Sequence, residues 1–274
     1  MKTKMIVALF VLVLVSLVGA NTVNATIVAE FVADGATPPN SQGWLQFAPV
    51  TGSHIAASGG DSIAWQHQDT GSGGYRVNNS TADYVSVMEG ADGWTLTVES
   101  KLLACARNCA VAKVQDGGGA AYSKFELNFW DGGDFGDGNA GAFYTAAGQG
   151  VGSGTRLGAA FGTSGDIDPT DGFHKYQISM DAKGTAFATD STDDEISIFV
   201  DDVLVAGPLA RTAFPDGGEY ETLIGRTGGA SEGTSITQYA NFKLESGSIV
   251  IPEPSALVLL TLGLLGLLGY RRRR

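Results

Sequence analysis

Apolar and polar residues alternate along much of this chain, and short clusters of Gly, Asp, Ser and Asn interrupt the alternation. Successive residues of a β-strand lie on opposite faces of a sheet, so this alternation predicts strands with one buried face. Residues 173–181 alternate until Asp181, and residues 196–205 hold two such runs joined by Asp201 and Asp202, at the place of a two-residue hairpin turn. No stretch of the body has the apolar stripe of about 3.6-residue period that indicates a helix. The pattern therefore predicts an all-β body.

The alternation places the strands at residues 27–32, 63–67, 84–88, 94–103, 110–115, 124–130, 142–144, 156–161, 174–181, 195–201, 203–206 and 236–244. Many short strands with close turns favour two packed sheets, because each strand has one apolar face to bury. We therefore expect a two-sheet antiparallel β-sandwich, with Trp94 in its core.

The N-terminal end is typical of a signal peptide. Lys2 and Lys4 precede an apolar run, and the small residues Val23 and Ala25 fit a cleavage site after Ala25. Residues 1–25 are therefore predicted to be a signal peptide with a short helix. Cleavage after Ala20 is a second candidate, and an uncleaved membrane anchor is the alternative.

At the C-terminal end, Pro252, Glu253 and Pro254 are followed by an apolar stretch at 256–270 and then by the four arginines Arg271, Arg272, Arg273 and Arg274. A helix over that stretch would span about 22 Å, which is short of a hydrocarbon core of about 30 Å. The arginines favour the cytoplasmic side, and the prolines cannot continue the helix, so an extended segment would precede it.

This tail resembles the PEP-CTERM sorting signal. The resemblance implies an exosortase-type processing enzyme as a partner, transient tethering to the inner membrane, and release to the cell surface or exopolysaccharide matrix of a Gram-negative-type bacterium. Residues 249–274 are therefore expected to be a sorting signal with a short hydrophobic helix. A simple C-terminal membrane anchor is the alternative.

The body between the two ends, residues 26–248, has the length of a single large β-domain. The formal charge of the chain is −12, and leaving out Lys2, Lys4, the four terminal arginines and Glu253 lowers it to −17. So negative a body is not expected to bind nucleic acid, whose affinity for proteins comes from neutralised phosphates.

The two cysteines of the chain, Cys105 and Cys109, are expected to form a disulfide, because an exported protein reaches an oxidising compartment. Four residues of extended strand span about 13 Å, whereas a disulfide allows about 4.4 to 6.8 Å between Cα atoms. The chain must therefore turn at residues 106–108. Free thiols and a metal site are the alternatives.

The strands at 94–99, 173–181, 196–205 and 239–244 together resemble a laminin-G-like domain of the concanavalin A-like lectin and glucanase superfamily. The resemblance covers about residues 94–245 and implies a jelly-roll sandwich that binds sugars, proteins or lipids, or acts as a spacer.

Glucanases of that superfamily carry three acids at positions i, i+2 and i+5 of one strand, where this chain has Glu126, Asn128 and Asp131. A retaining glycosidase needs two carboxyl groups, one as nucleophile and one as general acid. Asn128 cannot ionise and Asp131 is one methylene shorter than the Glu of the motif. We therefore expect a structural strand, with hydrolysis of matrix polysaccharide through Glu126 and Asp131 as the alternative.

Asp131, Asp134 and Asp137 lie in a Gly-rich stretch whose oxygens could bind Ca²⁺, and Asp166, Asp168 and Asp171 form a second such run. Neither run has EF-hand spacing, and solvated acidic turns are the alternative. No other cofactor is expected.

Aromatic side chains can stack on sugar rings. Trp130, beside the Asp-rich stretch, is the main candidate, and Trp44, Trp65, Tyr75 and Tyr144 are further ones. His54, His67 and His174 are scattered and are expected to be ordinary core or surface residues. We therefore expect an exported, non-catalytic protein that binds a glycan or is structural.

Overall fold

The structure is a computed structural model that describes residues 25–47, 51–56, 63–69, 74–79, 82–105, 109–116, 124–131, 140–147, 155–156, 168–183, 194–210, 220–225 and 235–249. The predicted signal helix and the helix of the tail lie outside these residues. Within them, the chain forms fifteen strands, one α-helix and a 3₁₀ turn at Pro39–Gln42. The strands and the helix are β1 (Ile27–Val32), β2 (Leu45–Phe47), β3 (Thr51–Ala56), β4 (Ile63–Asp69), β5 (Gly74–Asn79), α1 (Ala82–Met88), β6 (Trp94–Cys105), β7 (Cys109–Asp116), β8 (Lys124–Asp131), β9 (Ala140–Ala147), β10 (Thr155–Arg156), β11 (His174–Asp181), β12 (Glu195–Val200), β13 (Val203–Ala210), β14 (Tyr220–Gly225) and β15 (Ser235–Ser246).

The described strands form two antiparallel sheets. Sheet A has the order β13-β12-β11-β6-β15-β4-β3, with β1 also paired to β15, and sheet B has the order β10-β9-β8-β7-β14-β5-β2. The sheets pack face to face, since Tyr75 of sheet B contacts Trp65 and His67 of sheet A edge-on, each at 6.1 Å between ring centroids. The predicted two-sheet antiparallel β-sandwich is confirmed.

The inner face of sheet A supplies much of the core, as the alternation predicted. Trp94, Leu96 and Val98 of β6 pair with Met180, Ile178 and Tyr176 of β11, and all six side chains are buried. Burying one large apolar side chain contributes about 1.5 to 3 kcal/mol. The outer face of the same strands carries polar residues such as Thr95, Thr97 and Ser179.

The hairpin predicted at Asp201 and Asp202 is present between β12 and β13. Val200 pairs with Val203, and the two aspartates have φ angles of +50° and +65°. Two positive φ angles are typical of a type I′ turn, whose twist matches that of the flanking strands. The turn therefore fixes the register of β12 against β13.

The predicted strand at residues 84–88 is wrong, because these residues belong to the helix α1. Tyr84, Val87 and Met88 are buried and have the i, i+3, i+4 spacing of one helix face. The Tyr84 hydroxyl contacts the Thr222 hydroxyl of β14, so α1 packs against sheet B.

The two ends of the described body lie side by side. The backbone N–H of Ser246 donates to the carbonyl of Thr26 at 2.9 Å, and the Thr26 N–H donates to the Ser246 hydroxyl at 2.8 Å. Among the described residues, no helix has both the length and the apolar character needed to cross a membrane.

Candidate functional site

The strand that carries the glucanase-like residues, β8, lies inside sheet B between β7 and β9. Leu127 is 2% exposed and belongs to the core, so positions 126, 128 and 130 fall on the outer face of the sheet, away from sheet A. The pairing of β8 with β9 runs from Lys124 to Asp131 without a shift in register.

Because the register is regular, positions 126 and 131 fall on opposite faces of sheet B. Five residues of strand also separate them by about 17 Å. The two carboxyl groups of a retaining glycosidase are about 5 to 5.5 Å apart. The backbone therefore does not bring Glu126 and Asp131 together as a catalytic pair.

The outer face of sheet B contains a row of directly paired positions that crosses all of its described strands. Cross-strand partners share a face, so the register alone defines this row. We call it the outer row, and it consists of Leu45, Arg76, Leu223, Lys113, Glu126, Thr145 and Arg156. Of these residues, the glucanase-like motif predicted Glu126 alone as a site residue. The signal for the basic members, Arg76, Lys113 and Arg156, was a positive charge at an outward position of three separate strands.

Trp130 lies on the same outer face as Glu126, opposite Gly141 of β9. Its side chain is outside what the structure describes, and so are Asp134 and Asp137 of the expected calcium stretch. Among the described residues, no group of three or more His, Cys, Asp or Glu side chains could hold a metal ion. Trp130 as a glycan platform and Asp131, Asp134 and Asp137 as calcium ligands remain predictions.

The second acidic run binds groups of the protein itself where it is described. The Asp168 carboxylate accepts hydrogen bonds from the Thr170 N–H at 2.8 Å and from the Thr170 hydroxyl at 2.6 Å. Asp171 lies 2.8 Å from Nε2 of His174. These carboxylates are therefore parts of a turn and an ion pair. Asp166 lies outside the described residues.

His174, at the start of β11, lies between two carboxylates. Its Nδ1 is 2.7 Å from Asp201 and its Nε2 is 2.8 Å from Asp171. Partial burial alone would lower the pKa of His174, but hydrogen bonds and charge from the two aspartates outweigh it and raise the pKa. A carboxylate only accepts hydrogen bonds, so both ring nitrogens must donate. His174 is therefore held as an imidazolium with no free lone pair, which excludes it as a general base.

Asp201 connects this ion-pair cluster to the hairpin between β12 and β13. Its carboxylate also accepts the Lys175 N–H at 2.9 Å. Burial would raise the pKa of Asp201, but the hydrogen bonds from His174 and Lys175 lower it overall. Asp171, His174 and Asp201 thus connect two turns at one end of sheet A, and we assign them a structural role.

Three of the aromatic residues considered as sugar platforms lie in the core. Trp44, Trp65 and Tyr75 are each 5% exposed or less. Trp44 packs edge-on against Phe242 at 5.0 Å, and its indole N–H donates to the Glu30 carbonyl at 2.9 Å. Their aromatic faces are therefore occupied by other side chains and are closed to sugars. Trp94 is 1% exposed, so its predicted core position is confirmed.

The two cysteines lie at the point where the chain leaves one sheet for the other. Cys105 ends β6 in sheet A, and Cys109 begins β7 in sheet B. Residues 106–108 and both thiols lie outside what the structure describes, so the disulfide stays a prediction. Such a bond would join the two sheets at this crossing.

A short C-terminal segment, residues 247–249, lies on the outer face of sheet A, and we call it the strap. The Thr95 hydroxyl donates to the carbonyl of Gly247 at 2.7 Å, and the Ile249 N–H donates to the Ser179 hydroxyl at 2.6 Å. Two backbone bonds, from Gly247 to Gly93 and from Ser248 to Asp92, hold it as well. Sequence analysis gave no sign of the strap.

Comparison with known proteins identifies the tail. Residues 250–274 match the family model of the PEP-CTERM protein-sorting motif, which confirms the resemblance stated for this segment. The chain is therefore an exported protein with a sorting signal. No curated protein matches it.

Several solved structures are similar in fold. An alginate lyase from Chlorella virus is 10% identical with a TM-score of 0.48, over 81% of this chain and 100% of that one. A family GH16 endo-β-1,3(4)-glucanase is 12% identical with a TM-score of 0.46, over 82% of this chain and 95% of that one. A botulinum neurotoxin serotype D/C binding domain is 8% identical with a TM-score of 0.49, over 86% of this chain and 52% of that one. The expected likeness to glucanase- and lectin-type sandwiches holds for the arrangement of strands, and it carries no argument about activity.

Proposed function

We propose that this protein is delivered to the cell surface or the exopolysaccharide matrix, and that it binds a glycan there through the outer face of sheet B without cleaving it. The sorting tail supports the destination. An exosortase-type enzyme would process the tail and leave the β-sandwich as the mature protein.

The observation that carries the binding role is the outer row. Five of its seven positions hold residues with hydrogen-bonding or charged side chains, namely Arg76, Lys113, Glu126, Thr145 and Arg156. The other two hold Leu45 and Leu223, of which Leu223 is 4% exposed. Trp130 shares that face, and a tryptophan beside polar groups is a combination that suits a sugar ring, because the ring offers an apolar face and a rim of hydroxyls. An extended face of this kind fits a linear glycan.

A glycan array probed with the mature protein tests this proposal, together with the variant Trp130→Ala. If Trp130 stacks on a sugar, its loss should weaken binding by about tenfold, which corresponds to about 1.4 kcal/mol. Leu204→Ala is the matched control, because Leu204 is an exposed apolar residue on the outer face of sheet A. Equal loss in both variants, or no binding to any glycan, would refute the proposal.

Hydrolysis of matrix polysaccharide is the second candidate, on the basis of Glu126 and Asp131. These two positions lie on opposite faces of sheet B, whereas hydrolysis needs both carboxyl groups beside the same bond, so this candidate is disfavoured. The variant Glu126→Gln decides between the two functions in an assay of polysaccharide release. Activity in the native protein that the substitution abolishes would establish the hydrolase.

Calcium binding by Asp131, Asp134 and Asp137 is a further part of the proposal. A site-specific ion stabilises the folded state by mass action, so Ca²⁺ should raise the melting temperature and EDTA should lower it. The triple variant with Asn at these three positions should lose the response. A melting temperature that is the same in Ca²⁺ and in EDTA would exclude the site.

A further inference from the structure

We infer that the outer face of sheet B binds an acidic polysaccharide, a polymer rich in uronate or similar anionic groups. This inference rests on the glycan-binding function proposed above and adds the charge class of the glycan. It follows from where the strand register places the basic residues of a strongly acidic body.

The basic residues are concentrated on this face. The chain has 17 Lys and Arg, of which six lie in the two end segments and 11 in the body, whereas 28 of its 29 Asp and Glu lie in the body. On the described strands of sheet B, the register assigns four basic and two acidic positions to the outer face. These are Arg76, Lys113, Lys124 and Arg156 against Glu126 and Glu221. The described strand positions of this face therefore carry a formal charge of +2, whereas the body as a whole carries −17.

The outer face of sheet A provides a comparison within the same chain. Its described strands carry three basic residues there against five acidic ones: Lys101, Lys175 and Lys243 against Glu30, Glu99, Asp181, Glu195 and Glu245. Two of these cations are paired locally, since Lys243 lies 2.8 Å from Glu245 and Lys175 forms an ion pair with Asp202. Among the described strands, basic positions therefore outnumber acidic ones on the outer face of sheet B but not on the outer face of sheet A.

The spacing of the cations along the outer row fits a linear polyanion. Adjacent strands are about 4.8 Å apart, so Arg76 and Lys113 are separated by about 10 Å, and Lys113 and Arg156 by about 14 Å. At physiological ionic strength, charges are screened beyond about 8 Å, so each cation acts on the anionic group nearest to it. Several separated cations therefore match a repeating polymer better than one small anion. The row also contains Glu126 and Thr145, whereas lipid-binding surfaces concentrate Lys and Arg.

Glu126 has a distinct part in this arrangement. It lies directly opposite Lys113 on the neighbouring strand, and opposite charges at paired positions attract each other. Glu126 therefore offsets part of the positive charge of the row. The substitution Glu126→Gln should strengthen the binding of an acidic polymer, whereas the same substitution would abolish hydrolysis if the protein were a glycosidase.

The experiment measures binding of the mature protein to alginate and polygalacturonate as acidic polymers, to dextran as a neutral polymer, and to phosphatidylglycerol vesicles. We expect binding to the acidic polymers alone, with weaker affinity when salt is raised from about 0.15 to about 0.5 M. The double variant R76E/K113E should lose at least about tenfold in affinity, and E126Q should gain about twofold or more. The control is Lys101→Glu, the same reversal of charge on the outer face of sheet A, which should change the affinity little.

Each other outcome overturns the inference in a recognisable way. Equal binding to dextran, or affinity for alginate that R76E/K113E leaves unchanged, contradicts the charge class but leaves glycan binding in place. Absence of binding to every polymer contradicts the proposed function itself. Binding to the vesicles instead of the polymers would identify a membrane surface. If circular dichroism shows that R76E/K113E does not fold, R76Q/K113Q gives the same comparison.

Discussion

The imidazolium of His174 makes the stability of the fold depend on pH. Its contacts with Asp171 and Asp201 raise its pKa in the folded state above the unfolded value of about 6.5. A raised pKa means that the ion pairs contribute their full stability below about pH 6.5. The contribution is lost as the pH rises through the folded pKa, because the neutral ring cannot donate to both carboxylates.

The prediction at this residue is a comparison between the native protein and His174→Gln. Because both aspartates are largely exposed, we expect the native protein to be more stable than the variant by about 1 kcal/mol near pH 6, and the difference to shrink as the pH rises through the raised pKa of His174. Urea unfolding of both proteins at a series of pH values measures it. The comparison cancels the contributions of all groups that both proteins share. If the difference in the free energy of unfolding between the two proteins stays constant with pH, His174 is not an imidazolium in the folded state.

Contacts between residues could be predicted from the sequence where the residues are close in the chain, and not where they are far apart. The hairpin at Asp201 and Asp202 could be predicted because the strands it connects are adjacent in the chain. The partners of His174 could not, because Asp201 lies 27 residues away and becomes a neighbour only when β11 pairs with β12. His174 was accordingly expected to be an ordinary histidine.

Among the elements, α1 shows why a short helix can be mistaken for a strand. Ser86 between Val85 and Val87 gives a short alternation, and a helix of seven residues has too few turns for its period to stand out. The spacing of Tyr84, Val87 and Met88 was the available signal. Four strands that were not predicted, β2, β3, β5 and β14, have weaker alternation or many small and polar residues. Their place in the sheets is set by tertiary pairing.

The strap is the element from which the sorting tail departs, since it ends at Ile249 and the matched motif begins at residue 250. The double variant T95V/S179A removes the two side-chain bonds that hold it. Each such bond contributes about 1 kcal/mol, so the opening of the strap should become roughly tenfold more frequent or more. Hydrogen exchange at the amide of Ile249 measures this opening directly.

The control for the strap is Ser197→Ala, which changes a buried hydroxyl on the same face of sheet A. It should leave exchange at Ile249 unchanged. We expect the global melting temperature of T95V/S179A to fall by only a few degrees, because the strap lies outside the core. If exchange at Ile249 is as fast in the native protein as in the double variant, the strap does not hold the segment before the sorting motif.

In the molecule as a whole, the candidate site depends on strand order, which the sequence does not reveal. The outer row takes one residue from each strand of sheet B, and its members are separated by up to about 180 residues, between Leu45 and Leu223. Alternation identifies the outward positions of each strand, but only the order of the strands brings Arg76, Lys113 and Glu126 together. The sandwich class could therefore be predicted, while the charged face of sheet B could not.

The first and last strands of the sandwich, β1 and β15, pair with each other. Because β1 begins beside the end of β15, the described part of the chain begins and ends at the same end of the sandwich. Cleavage after either Ala20 or Ala25 leaves β1 complete, so both candidate sites are compatible with this pairing.

This geometry predicts a crosslink between the two ends of the body. Thr26 and Ser246 are joined by two hydrogen bonds and lie next to the paired residues Ile27 and Glu245. Positions paired in this way have Cα atoms about 4.5 to 5.5 Å apart, within the range of a disulfide, so T26C/S246C should oxidise spontaneously on export. Closing a loop of nearly the whole body would stabilise it by up to about 5 kcal/mol if the unfolded chain is otherwise unconstrained. Faster migration on a non-reducing gel and a linked peptide in mass spectrometry report the bond, with T26C and S246C alone as controls. Pairing of the new cysteines with Cys105 or Cys109 instead would show that the ends do not meet as β1 and β15 require.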